Sequence, residues 1–141
     1  MSLPKLRQAF FTCTLQIMDI ESFRIYCLSK PETEECLPFD ENTLVFKVCG
    51  KMFALTDLAN VEFSVNLKSD PEKAVELRAE YDEVQPGYHM NKKHWNTVLF
   101  EGRIPDKILI KMIDDSYLLV LNSLKKSEKE RIMAQLKQER Q

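Results

Sequence analysis

The chain has 141 residues, of which 44% are hydrophobic and 30% charged, and its formal net charge is −2. That length and composition predict one globular domain with a core of its own, and the acidic balance excludes a uniformly basic nucleic-acid-binding protein. No apolar run reaches the roughly 18 residues of a membrane-spanning helix. We therefore expect a cytoplasmic protein without a membrane partner, because polar residues interrupt the apolar stretch after Arg7 and no cleavage site follows it.

The four cysteines, at positions 13, 27, 36 and 49, form no C-x-x-C pair. This spacing gives no support to a zinc ribbon or a thioredoxin-type redox site. We expect free thiols that serve as packing residues in a reducing compartment.

The first elements are predicted from Met18 onward, with Asp19 as the N-cap of a helix over Ile20–Leu28. Residues 1–17 fit this pattern poorly, so we interpret them as an extension, a misassigned start or a leader. The predicted organisation is this extension, a domain over residues 18–126 and a charged C-terminal helix over residues 127–141.

Four apolar stretches predict strands. The stretches at 44–49 and 52–56 are joined at Gly50-Lys51, which predicts a β-hairpin in which Gly50 supplies the positive φ of a tight turn. A third strand is expected over 61–67 with Val61, Phe63, Val65 and Leu67 facing inward, and a fourth over 95–100. The segment 32–39 is either a loop or an edge strand.

Helix signals separate these strands and follow them. Asp70 and Pro71 predict the start of a helix that runs to about Tyr81, and the chain is expected to break at 85–87. A helix is predicted after Pro105, with Asp115 or Ser116 capping a second segment. Ser127 and Glu130 form a capping box for the last helix. The pattern predicts an α+β fold.

Catalysis and metal binding find little support in the sequence. His89 and His94 lie five positions apart without a carboxylate or cysteine at a familiar ligand spacing. Ser64 and Ser116 stay open as nucleophiles, but no nucleophile elbow or phosphate-binding loop is present, and the chain has 3 glycines. We expect a non-enzymatic protein without a metal or cofactor.

The best candidate for recognition is the loop that precedes the fourth strand. Its lysines can contact phosphates, and an exposed aromatic side chain can stack on a base. Alternatively, Trp95 anchors the core and the lysines only solvate the loop. The candidate nucleic-acid-binding residues are Tyr88, His89, Asn91, Lys92, Lys93, His94 and Trp95, with Lys47, Lys51 and Lys68 if the hairpin lies nearby.

Several segments of the sequence resemble the MmcQ/YjbR family. They are MDIESFRIYCLSKP at 18–31, TLVFKVCGKMFAL at 43–55, VNLKSDPEKAVELR at 65–78, PGYHMNKKHWNTV at 86–98 and DDSYLLVLNSL at 114–124. The resemblance covers about residues 18–126. It implies a CyaY-like (frataxin-like) two-layer fold, in which helices cover one face of an antiparallel sheet.

The same resemblance implies a proposed role in binding double-stranded DNA through winglike β elements, with no enzyme activity. Iron binding is not expected, because the predicted first helix carries only Asp19 and Glu21 and so lacks an acidic ridge. The competing hypothesis is a module for protein interaction or small-ligand binding that uses the Pro86–Trp95 loop.

Overall fold

A computed structural model describes residues 18–88 and 90–139, so the predictions for residues 1–17 and for His89 lie outside the described residues. This part of the chain contains four helices and six strands. In chain order they are α1 (Ile20–Leu28), β1 (Thr33–Cys36), β2 (Thr43–Val48), β3 (Lys51–Asp57), β4 (Ser64–Lys68), α2 (Pro71–Glu80), β5 (Val84–Pro86), β6 (Trp95–Leu99), α3 (Asp106–Leu121) and α4 (Lys126–Glu139). None of the described helices is long and apolar enough to cross a bilayer.

The six strands form one antiparallel sheet in the order β1-β2-β3-β4-β6-β5. Helices α1, α3 and α4 contribute buried side chains to a single core with one face of this sheet, among them Phe23, Ile113 and Ile132, and α2 packs against this core through the partly buried Leu77. Helix α3 lies across β3 and β4. This α+β architecture agrees with the predicted fold class.

The β2–β3 hairpin turns through Cys49 and Gly50, whose φ angles are 48° and 82°. Positive φ at both central residues is typical of a type I′ turn, which matches the twist of the flanking strands. The predicted hairpin and the positive φ of Gly50 are confirmed, whereas the predicted partner of Gly50 in the turn is wrong, because the turn uses Cys49 and Lys51 already belongs to β3.

A β-bulge in this hairpin determines which side chains face the helices. The pairing steps from Phe46–Ala54 to Lys47–Met52, which leaves Phe53 as the extra residue on β3. Since Phe53 and Ala54 both enter the helix-side core, Met52 is turned to the opposite face and Lys51 returns to the helix side.

Helix α3 continues without a break through the predicted capping position. Ser116 is fully buried in it, donates a hydrogen bond to the carbonyl oxygen of Phe53 at 2.5 Å and accepts one from the Lys68 amide at 2.9 Å. The prediction of a recap at Asp115 or Ser116 is wrong, because the Ser116 hydroxyl joins the helix to the bulge instead of capping a helix end.

Three further predictions about element bounds are corrected by the structure. The strand predicted over 61–67 is β4, which begins only at Ser64, and Val61 is 97% exposed. The predicted break at 85–87 includes the short edge strand β5, where a proline is tolerated because its missing N–H faces no neighbour. Ser127 lies inside α4, which begins one residue earlier, so it is not the N-cap.

Candidate nucleic-acid interface

The face of the sheet opposite the helices carries a small apolar cluster of its own. Strand alternation directs Phe46 to the helices and therefore Val45 to this second face. Val45, Leu55 and Trp95 are buried there, with Cys36, Met52 and Met90 packed against them as partly buried neighbours. We call this surface the outer face.

Trp95 is the structural centre of the outer face. It pairs with Lys68 across β4 and β6, and 8% of its surface is exposed. The interpretation of Trp95 as a packing residue at the start of a strand is thus confirmed, although the cluster it joins lies outside the main core. Its ring offers no surface on which a base could stack.

Gly87 allows the loop that follows β5 to fold tightly against Trp95. A Cβ at this position would lie 2.9 Å from the carbonyl oxygen of Trp95 and 2.9 Å from its Cβ. The Gly87 amide donates to the same carbonyl at 2.8 Å. Glycine is required here by the close approach of the two backbones.

Asn91 organises the loop between Gly87 and Trp95. Its side-chain oxygen accepts from the amide of Lys93 at 2.9 Å, and its carbonyl oxygen accepts from the amide of Trp95 at 2.9 Å. The ammonium group of Lys92 reaches back to the Gly87 carbonyl, also at 2.9 Å. Asn91 thus acts as a turn residue within the loop.

Arg78, from the last turn of α2, holds the same loop from the other side. Its Nε donates to Asn96 Oδ1 at 2.7 Å, and its Nη2 donates to the carbonyl oxygen of Lys92 and, at 3.5 Å, to that of Trp95. This role of Arg78 is not predicted from the sequence. The only available signal was the position of Arg78 on the helix face that also carries Ala74.

The outer face extends through polar side chains toward β5, the edge strand of the sheet. Thr97 donates to Asn66 across β4 and β6, and its hydroxyl accepts the Tyr88 amide at 2.9 Å. The Tyr88 ring is 70% exposed. Hydroxyl, amide and aromatic groups therefore lie beside the loop on the solvent side.

Four lysines surround this surface. Lys47 and Lys68 occupy outer-face positions of β2 and β4, and Lys92 and Lys93 are exposed in the loop. The end of this loop is bound to the end of β4, because the His94 carbonyl accepts a hydrogen bond from the Ser69 amide at 2.8 Å. None of the four makes an ion pair with another described residue. Two acids share strand positions of this face, Glu34 opposite Lys47 and Asp57 at the far end of β3.

Lys51 is not part of this surface. Its side chain follows Val48 to the helix side, and its Nζ donates to the carbonyl oxygen of Ser123 at 3.1 Å, near the end of α3. Lys51 and Lys47 lie on one hairpin, which is why the sequence places them together. The bulge at Phe53 separates them.

Among the described residues, no three side chains of the His, Cys, Asp or Glu type come close enough to hold a metal ion. His94 is half-buried at the end of the loop. Ser116 is committed to two backbone groups and lies apart from both the loop and the outer face.

A separate cleft of about 390 Å³ lies on the helix side, between α2 and α3. Leu77, Tyr81, Ile108 and Met112 provide apolar surface in it, and Lys73 and Glu80 are among its charged residues. The cleft reaches Asn96, and none of the described residues of the loop from Gly87 to His94 lines it.

The fold and the site define an α+β protein whose open, antiparallel sheet presents a basic loop and an outer face. The sequence model of the YjbR family matches residues 28–119, and the chain belongs to that family. It is 41% identical over 113 residues to the uncharacterized protein YbdF of Escherichia coli O157:H7, an alignment that covers 79% of this chain and 92% of YbdF.

Two other relatives support the same assignment. The uncharacterized protein YjbR of Escherichia coli K12 is 34% identical over 119 residues, which span 84% of this chain and all of YjbR (100%). The crystal structure of Deinococcus radiodurans protein DR2400, with a DUF419 domain, superposes with a TM-score of 0.77 at 38% identity, covering 84% of this chain and 91% of that one. The shared fold therefore extends over most of the chain.

Proposed function

We propose that this protein binds double-stranded DNA through its outer face and the adjoining loop, without catalysing a reaction. The observation that supports the proposal is the grouping of Lys47, Lys68, Lys92 and Lys93 on one side of an acidic chain, with no ion pair among the described residues. Lysines in such an arrangement attract phosphates and release condensed counterions.

The proposed contacts are with the DNA backbone and not with base edges. Phosphate contacts fix a protein on the duplex but carry no sequence information. Trp95 is buried and the Arg78 guanidinium is used within the protein, so the site offers neither a stacking tryptophan nor an arginine to read guanine. The binding we propose is therefore of low sequence specificity and strongly dependent on salt.

Fluorescence anisotropy with a labelled duplex at low salt tests this function. The variant Lys92→Glu plus Lys93→Glu should weaken binding by at least tenfold, since two phosphate contacts become repulsive. The matched control is Lys107→Glu plus Lys125→Glu, which makes the same change of charge at exposed positions at the start of α3 and between α3 and α4. Equal loss in both variants, or no binding by the unmodified protein, would contradict the proposal.

The cleft between α2 and α3 favours a second candidate function, the binding of a small and largely apolar molecule. A volume of about 390 Å³ and an apolar lining fall in the range of small-molecule sites. A methyl-detected NMR titration with a fragment library tests it, with Leu77→Trp filling the cleft. Shifts of Ile108 and Met112 methyl groups that persist in Leu77→Trp would contradict binding there.

A further inference from the structure

The loop that carries Lys92 and Lys93 is fixed by a residue outside it, Arg78. The loop has eight residues between β5 and β6, and the bonds among its described residues include those that close its base and its turn at Asn91 and the one from Lys92 Nζ to the Gly87 carbonyl. The guanidinium adds a charge-assisted hydrogen bond to the Lys92 carbonyl in the middle of this segment. It also contacts the carbonyl of Trp95, where the loop joins the sheet.

Arg78 is itself held in place by Asn96. The Asn96 side chain is 2% exposed, accepts from Arg78 Nε at 2.7 Å and donates to the Ala74 carbonyl in α2 at 3.4 Å. Helix α2, strand β6 and the loop are thus joined at one guanidinium. Lysine could not reproduce this arrangement, because its donors radiate from a single point and it lacks the planar fork.

The charge of Arg78 is not cancelled locally. All its acceptors are neutral carbonyl or amide oxygens, and no carboxylate of the described residues pairs with it. The residue that orders the loop therefore also adds a fixed positive charge beneath Lys92 and Lys93.

We propose that Arg78 is the positioning residue of the loop that carries Lys92 and Lys93. It orders this loop before DNA binds and contributes an uncompensated positive charge to it. This inference rests on the proposed function for its role in binding, whereas the ordering of the loop is a property of the free protein. A preordered loop spends less of its interaction free energy on ordering when it meets a phosphate.

The test compares Arg78→Gln and Arg78→Lys with the control Lys73→Gln, which removes one charge from the same helix at an exposed position. Hydrogen exchange of the free proteins reports on loop order. The amides of His94 and Trp95 should exchange roughly tenfold faster in both Arg78 variants, as expected for loss of a charge-assisted bond. Lys73→Gln should leave these rates unchanged.

Anisotropy titrations with DNA at several salt concentrations then separate the effect of Arg78 on loop order from the effect of its charge. Arg78→Lys should weaken DNA binding several-fold and keep the salt slope, because the charge remains. Arg78→Gln should weaken binding further and lower the slope by up to about 0.9, the value of one phosphate contact.

Unchanged exchange in both Arg78 variants would overturn the inference, and so would faster exchange without any loss of affinity. Absence of DNA binding by the unmodified protein would refute the proposed function, while the exchange rates would still decide whether Arg78 orders the loop. Thermal melts confirm folding, and if Arg78→Gln unfolds, Arg78→Lys carries the comparison.

Discussion

Gly87 shows how a single missing side chain shapes the loop. A Cβ there would press on the Trp95 backbone, and the Trp95 carbonyl cannot withdraw because Gly87 and Arg78 both donate to it. We expect Gly87→Ala to reduce the free energy of unfolding by about 1–3 kcal/mol, the usual cost of overpacking. Urea unfolding measures the change, and red-shifted emission of Trp95, the only tryptophan, reports the displaced loop.

Gly102→Ala is the matched control for this prediction. A Cβ at Gly102 would meet the side chain of Glu83, with its nearest atom at 2.5 Å, and not the backbone of Trp95. A red shift of the Trp95 emission in Gly102→Ala equal to that in Gly87→Ala would contradict the assignment of a specific role to Gly87.

Phe23 has a comparable importance in the main core. Its ring is fully buried and makes edge contacts with the rings of Phe46, Phe63 and Phe100 at centroid distances of 5.2, 5.6 and 5.6 Å. Phe23→Ala should cost about 3–5 kcal/mol in chemical denaturation. Ile25→Ala, in the same helix at a 66% exposed position, should change stability by no more than about 0.5 kcal/mol.

At this scale the sequence predicts types of residue better than their surroundings. The pattern around Trp95 correctly indicates a strand and a packing role. It does not reveal that the ring is buried on the outer face, because strand alternation alone does not say which side the helices cover. Arg78 was missed for a similar reason, since its acceptors are backbone carbonyls supplied by a distant loop.

At the scale of elements, helix α4 is attached to the rest of the fold by few contacts. Ile132 is buried in the core, and Arg131 makes two hydrogen bonds to the Glu32 carboxylate at 2.6 and 2.5 Å, joined by Gln135 at 2.8 Å. The Arg131 guanidinium lowers the pKa of Glu32 to about 2, well below its usual value. This ion pair links α4 to the segment before β1.

The lowered pKa of Glu32 makes the attachment of α4 sensitive to acid. A carboxyl whose pKa is depressed by folding stabilises the fold fully above its ordinary pKa of about 4.3, and that contribution is lost as the pH falls toward 2. The protection of the α4 amides, taken relative to an intrinsic exchange rate that itself falls on acidification, should therefore decrease between pH 4.5 and pH 2. Glu32→Gln should show low protection of the α4 amides at every pH.

The Lys111–Asp115 pair on the exposed side of α3 provides the control, with its atoms 3.3 Å apart. Asp115→Asn should leave the acid response of α4 intact, since this pair joins residues of one helix. An unchanged response in Glu32→Gln would show that another carboxyl controls α4.

Predicted elements agree with the structure where periodic apolar patterns are long, as in α1, β2 and β3. Predicted and observed elements disagree where tertiary contacts determine the bounds of a helix or strand. Ser116 resembles a cap locally, yet α3 runs through it because the hydroxyl is used by the backbone of Phe53 and Lys68. The edge strand β5 is too short for a pattern, and its pairing with β6 defines it.

For the whole molecule, the distribution of charge matters more than the net charge of −2. Residues 18–43 carry seven acids and two bases, whereas the outer face and loop contribute four lysines with no ion pair among the described residues. An acidic protein with a basic surface is steered so that this surface meets a polyanion first. The sequence predicts the basic loop, but only the fold decides which lysines accompany it.

Lys47 and Lys51 provide the sharpest test of this arrangement, because they are neighbours in one hairpin and lie on opposite faces of the sheet. Each phosphate contact contributes about 0.9 to the slope of the logarithm of DNA affinity against the logarithm of salt concentration. We expect Lys47→Gln to lower that slope by up to this amount and to weaken binding. Lys51→Gln removes the same charge at nearly the same place in the sequence and should leave the slope unchanged. Equal effects of the two substitutions would mean that net charge, and not the outer face, governs binding.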